Sequence, residues 1–205
     1  MSEEVRFGEV DYHTAKTMVE QYHYSGCIPR GRNLCWGVWI GDSLYALAVY
    51  GNGVNSYQAG FLARTTGLPV TQTNHAELKR LVRTEPRHAT FQLTQLIASA
   101  HRWLSNQGYK YIVSFSDPDR GHTGSIYRAA NFAHLGHTQA EWHVVDSEGN
   151  QLHRRVAYRY SRRNDCTIEE ARMALNLTRT KTSPRDRWFL ALAKQDRRVM
   201  AELKQ

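Results

Sequence analysis

The chain has 205 residues, 41% hydrophobic and 22% charged, the composition of an ordinary folded protein with room for one substantial core. No stretch approaches the roughly 20 apolar residues that span a bilayer, and the opening Met1-Ser-Glu-Glu is unlike a basic, apolar secretory signal, so a cytoplasmic protein is expected. The net charge of +8 is localised: residues 1–149 hold 13 Lys/Arg against 13 Asp/Glu and residues 150–205 hold 14 against 6, which suits a polyanion partner and equally a solvated basic face.

In chain order, Val5 to Val10 reads as a strand and Asp11 to Gln21 as a helix with Ala15, Met18 and Val19 on its apolar side. Cys35 to Ile40, the turn Gly41-Asp-Ser and Leu44 to Tyr50 form a hairpin that Gly51-Asn-Gly ends. His75 to Arg83 alternates as a strand, with Leu78, Arg80 and Val82 on one face and Glu77, Lys79 and Leu81 on the other. Phe91, Leu93, Leu96, Ile97, Ala100 and Leu104 mark a helix capped near Thr90 and stopped before Gly108. Tyr109 to Ser116 is a strand, and His122 to Phe132 is a short helix ended by Leu135-Gly136. Glu141 to Val145 and Arg155 to Tyr160 then read as a second hairpin across Asp146-Ser-Glu-Gly-Asn, followed by helices at Ile168 to Leu177 and from Trp188 onward. This mixture implies one α/β (α+β) domain over residues 1–160 with a mixed central sheet flanked by helices, and a basic C-terminal extension over 161–205 packed on it.

Three groups of residues carry chemistry. Ser114, Ser116 and Asp117 fall at the carboxyl end of a strand, and Thr123 and Ser125 at a helix start whose free amides suit an anionic group. Asp-Pro, Asp-Arg-Gly and a Ser/Thr cap account for much of that segment as turn chemistry. Gln21-Tyr-His-Tyr-Ser-Gly packs two phenols, an imidazole and a hydroxyl at a helix end, serving either proton transfer or core cover. Arg80 is costly beside apolar neighbours unless it meets a structural carboxylate or a ligand's anionic group. Trp36 and Trp39 lie on the hairpin, where core packing is the common role of tryptophan. Cys27, Cys35 and Cys166 lack CxxC spacing, and the ten histidines form no tight ligand pattern, which argues against a disulfide scaffold or a zinc module.

With YHYSG at Tyr22 to Gly26, ELKRLV at Glu77 to Val82, SDPDRGHTGSIYRAANF at Ser116 to Phe132 and SPRDRWFLAL at Ser183 to Leu192, the sequence resembles the Mom family of phage adenine-modification proteins, which are related to GNAT acyltransferases. The resemblance implies a GNAT-like fold and a reaction that installs a methylcarbamoyl (acetamido-type) group on N6 of adenine in double-stranded DNA, masking it from restriction. Carried onto matching positions, it implies catalytic roles for His23, Tyr24, Arg80, Asp117 and Tyr127; Ser114, Thr123 and Ser125, at the strand end and helix start, are the cofactor-binding candidates of the residue reading. It also implies iron held by Tyr24 and Asp117; phenolate and carboxylate are hard donors suited to that metal. Acyl-CoA is the cofactor of ordinary GNAT enzymes, but their phosphate-cradling glycine turn is replaced here by Arg83-Thr-Glu-Pro-Arg-His-Ala-Thr, which contains no glycine. The basic tail assigns Arg162, Arg163, Arg185 and Arg187 to double-stranded DNA; no membrane partner is expected, and a homodimer is compatible. Two other functions fit some of these features: a GNAT enzyme acylating a small amine or protein, and a phage DNA-binding protein without catalysis.

Overall fold

The computed structural model describes residues 4–52, 56–84, 91–149, 151–152 and 155–204. They divide into two compact units. The larger comprises Met1–Ser116, Gly124–Gly136 and Asp186–Gln205, and the smaller Asp117–Thr123 and His137–Arg185. The boundary expected at residue 160 does not coincide with this division, because the chain re-enters the main sheet after residue 185.

The first elements lie where hydrophobic periodicity places them: β1 (Val5–Glu9), α1 (Tyr12–Tyr22), β2 (Leu34–Ile40) and β3 (Ser43–Asn52). Asp11 caps α1 by accepting the His13 and Thr14 amides at 3.0 Å. Next come α2 (Ser56–Thr66), β4 (His75–Arg83), α3 (Leu93–Asn106), β5 (Tyr111–Ser116), α4 (Ser125–Ala129) and β6 (Ala133–His137). α2 and β6 are additions to the sequence reading. Gln92, not Thr90, precedes α3, its own N–H donating to Gln95 Oε1 at 3.0 Å; Thr90 lies outside the described residues.

In the smaller unit, β7 (Trp142–Val145) pairs antiparallel with β8 (Gln151–Leu152) and with β9 (Thr178–Lys181). Arg155 to Tyr160 is therefore not the second arm of a hairpin. It opens the helix α5 (Arg155–Asn164), which buries Ala157 and ends before Asp165 at φ +48°, while α6 (Ile168–Ala174) follows Thr167, whose side chain accepts the Glu170 amide. The alternating Arg and aromatic residues mimic a strand, but the edge of β7 is taken by β9.

The helix expected from Trp188 is also replaced. β10 (Asp186–Ala191) is a strand, and the helix α7 (Arg197–Glu202) begins later. Trp188 and Phe189 are 1% and 0% exposed and enter different cores, which adjacent residues achieve in a strand buried on both faces. The resulting seven-stranded sheet has the order β1-β2-β3-β4-β5-β10-β6, mixed because β4 and β5 run parallel. α3 covers one face through Leu96, Ile97, Ala100 and Leu104, and α1 covers the other through Ala15, Met18 and Val19.

The alternation read along β4 breaks at one point. Val49 pairs with Arg80 and Tyr50 with Leu78, so Lys79 is the extra residue of a β-bulge. Leu78 and Leu81 consequently join the α3-side core while Val82 joins the α1-side core, correcting the expectation that Leu78 and Val82 share a face.

Candidate active site

Pairing between β4 and β5 runs from His75↔Tyr111 to Leu78↔Ser114, beyond which β4 continues to Arg83 beside β3 alone. These two parallel strands part beyond Leu78 and Ser114, both of them buried.

One row of side chains crosses the sheet there by register: Leu34, Tyr50, Leu78, Ser114 and Trp188. Ser114 is fully buried, and its hydroxyl donates to the Leu78 carbonyl at 2.9 Å and lies 2.9 Å from the Tyr127 hydroxyl. Tyr127 comes from α4, stacks on the Trp188 indole at 5.7 Å and can also reach the Phe115 carbonyl at 3.4 Å. Burial pushes its phenol above the ordinary value of 10.0; the Ser114 bond works against that rise, and negative charge on Tyr24 and Glu77 adds to it. Tyr127 is therefore a protonated phenol at neutral pH. Ser114, assigned by the sequence to a cofactor, instead positions Tyr127, since it has no exposed surface and both its neighbours are protein atoms.

α4 starts at Gly124, whose φ is +70° and whose Cα lies against Trp188: a Cβ there would run into the indole, with Cε2 only 2.6 Å away. Trp188 in turn donates from Nε1 to Ser116 Oγ at 2.8 Å, and Ser116 bonds Asp186 Oδ2 at 2.9 Å. This stack holds the α4 backbone, and Tyr127 with it, against the sheet.

Glu77 precedes Leu78 on β4, and its charge is felt at the Tyr127 phenol. Gln58 of α2 bridges it to a buried histidine: Nε2 of Gln58 donates to Glu77 Oε2 at 3.4 Å, and its carbonyl accepts from His75 Nε2 at 3.2 Å. Gln58 carries no sequence signal beyond its place on α2.

At the end of α1, His23 Nδ1 accepts the Ser25 backbone N–H at 3.1 Å, which leaves the proton of the neutral ring on Nε2. Its ring lies against Tyr24 at 4.2 Å, and Tyr24 is 55% exposed. Arg80 meets carbonyls where an anion or carboxylate was expected: Nε donates to the Cys27 carbonyl at 3.2 Å and Nη1 to the Lys79 carbonyl at 2.8 Å. It thereby ties the His23–Cys27 loop to β4. Trp36 and Trp39 serve packing, Trp36 stacked on Trp103 at 4.8 Å and bonded to Ser99, Trp39 covered by the Arg6 guanidinium.

Other predicted residues fall elsewhere. Asp117 belongs to the smaller unit, where Oδ1 caps a short 3₁₀ turn by accepting the Asp119 N–H at 3.1 Å. Thr123 and Ser125 are exposed, flanking Gly124. Arg162 and Arg163 are exposed on α5, and Arg185 is bound to Glu141 at 3.6 Å. Arg187 packs its guanidinium 4.0 Å over the Phe61 ring and is half-buried, a setting of structure more than of phosphate contact. Tyr24 belongs to the larger unit and Asp117 to the smaller, and two oxygen donors fall short of the three protein ligands of a non-haem iron centre. The glycine-free segment before α3 lies, from residue 85 to 90, outside the described residues.

Open clefts occur among the described residues of the larger unit. One of about 470 Å³ is lined by the Pro29–Arg32 loop, Asn52, Glu77, Lys79 and Arg80. Another of about 580 Å³ is lined by residues that include Arg128, His134, Asp186 and Trp188; His134 and Asp186 pair there at 3.3 Å, so they satisfy each other. Among the described residues no helix is long and apolar enough to cross a membrane.

The chain resembles solved acetyltransferase structures at low identity. An N-acetyltransferase from Staphylococcus aureus Mu50 is 10% identical with a TM-score of 0.51, covering 93% of this chain and 99% of that one. An acetyltransferase-fold protein of the GNAT family from Desulfovibrio desulfuricans gives 10% and 0.51, covering 93% and 100%. These likenesses show the GNAT-like mixed fold. A curated relative, "Methylcarbamoylase mom" of Escherichia phage Mu, is 24% identical over 149 residues, 72% of this chain and 60% of that protein's length. The model of the Mom protein family matches residues 4–205, nearly the whole chain, and the chain belongs to that family.

Proposed function

We propose that this protein transfers a methylcarbamoyl group to N6 of adenine in double-stranded DNA, an activity that would shield phage DNA from restriction. The observation that carries this reading is the Tyr127–Ser114 pair at the parting of β4 and β5, in a chain of the Mom family. The N6 lone pair is delocalised into the purine ring, so the acceptor must be oriented, deprotonated and taken out of the base stack. Glu77, steadied through Gln58, accepts the N6 proton. Tyr127, kept protonated by its burial, is the proton donor at the reacting centre. Tyr24 presents an exposed ring that replaces lost stacking, and His23 Nε2–H is a directed donor beside it. Arg80 positions both through its bonds to Cys27 and Lys79.

Mass analysis of nucleosides from plasmid DNA, with and without expression of the protein, tests the reading. A new deoxyadenosine species carrying CH₂CONH₂ in place of one hydrogen is expected. Unchanged adenine from cells that contain folded protein overturns it.

A further inference from the structure

The cleft between the Pro29–Arg32 loop and β4 carries four cations, Arg30, Arg32, Lys79 and Arg80, and one carboxylate, Glu77. Among the described residues Arg30, Arg32 and Lys79 take part in no ion pair. Like charges gathered in one cleft repel, and the repulsion is relieved by a ligand with several negative groups. Nothing in the regional charge balance marked this place, since the first 149 residues are neutral overall.

The cleft is built by specific backbone features. The bulge inserts Lys79 out of strand alternation, and its ammonium lies over Gly51. A Cβ at Gly51 would stand 2.6 Å from Lys79 Nζ and 3.0 Å from the Arg32 carbonyl, so the glycine is what lets β3, the loop and the amine come together. Gly31, at φ +92°, turns the chain between the two exposed arginines. Arg80 fastens the loop side to β4.

We propose that this cleft seats consecutive phosphates of the DNA strand whose adenine is presented to Tyr127. The proposal rests on the reading that duplex DNA is the acceptor. Its continuity with the reaction centre comes from Glu77, which lines the cleft and whose charge acts on the Tyr127 phenol. Phosphates held by the loop and β4 fix the register of the strand without reading its sequence.

The test is the salt dependence of full-length protein binding to an unmodified duplex, followed by fluorescence anisotropy. Each lost phosphate contact lowers the slope of log K against log salt by about 0.9. Arg30→Gln/Arg32→Gln should therefore lower it by about 2 and Lys79→Gln by about 1, across unrelated sequences, with Lys79→Arg restoring the wild-type slope. Thermal unfolding at the wild-type midpoint confirms that these variants are folded. Wild-type slopes in both Gln variants overturn the proposal, as does loss of affinity for inorganic pyrophosphate with full retention of duplex binding. If nucleoside analysis finds no modified adenine while the slopes fall as stated, the reaction is wrong and the cleft stands. If adenine is modified and the slopes do not change, the reaction stands and the cleft is wrong.

Discussion

Tyr127 and Ser114 lie thirteen residues apart on α4 and β5 and act as one group. Tyr127→Phe should lower the rate of adenine modification by about 100-fold or more, the usual worth of a positioned proton donor, with little change in thermal midpoint because Ser114 keeps the Leu78 carbonyl. Activity should persist into alkaline solution and fall only above the ordinary tyrosine value of 10.0, since the phenol is raised. Ser114→Ala removes a bond that lowers that value, so the alkaline limb of the pH–rate profile should move higher still; a limb that stays put shows that Ser114 does not act through Tyr127. His101 offers a second titration. It is buried without a partner for Nε2, and burial pushes it down to about 3 from 6.5. Its contribution to stability is full above pH 6.5, where folded and unfolded forms are both neutral. It is lost as pH falls toward 3, at roughly 1 kcal/mol per unit, because only the unfolded chain takes up the proton. His101→Phe should flatten the acid side of the stability curve, measured by urea unfolding between pH 6.5 and 4; an unchanged slope contradicts the assignment.

At the scale of elements, the contact between Gly124 and Trp188 joins α4 to β10, two elements more than fifty residues apart in sequence. Gly124→Ala imposes both a left-handed backbone on a residue with a Cβ and a clash with a fully buried indole, and should cost about 3 kcal/mol, read as a drop in the midpoint of chemical unfolding. Alanine at Gly121, also at positive φ but with nothing within 4 Å of its Cβ, should cost about 1 kcal/mol, which separates backbone strain from packing. β1, α1, the β2–β3 hairpin, β4, α3 and β5 were legible because each buries a face whose period appears within ten or so residues. β10 was misread because a strand buried on both faces has no alternation, and WFLAL fits a buried helix equally well. The bulge at Lys79 left no mark, since one unpaired residue changes facing without changing composition.

For the whole molecule, the excess of positive charge in residues 150–205 divides between the units. Arg162, Arg163 and Arg185 belong to the smaller one and Arg187 to the larger, where it is packed on Phe61. On the proposed function, Arg162→Gln/Arg163→Gln should weaken duplex retention across sequences and lower its salt slope by about 2 without changing the unfolding midpoint, as both residues are exposed on α5. Unchanged retention removes that helix from the DNA surface. Most of the candidate site was legible as residue types: His23, Tyr24, Arg80, Ser114 and Tyr127 all lie in the larger unit. Their work was less so. Arg80 binds carbonyls, Ser114 serves Tyr127, and Glu77 and Gln58 became visible only with α2 and β4 in place.

By itself, the sequence determined the family through its motifs, most of the local elements through hydrophobic periodicity and capping residues, and the regional charge through simple counting, because each of these is stored in neighbouring residues. Tertiary structure alone decided that β10 inserts between β5 and β6, that β4 and β5 part at Ser114, and that Lys79 turns into a cationic cleft beside Glu77. Those features arise from hydrogen-bond register and packing between distant segments. Register depends on which strands find each other, and no local pattern records that choice.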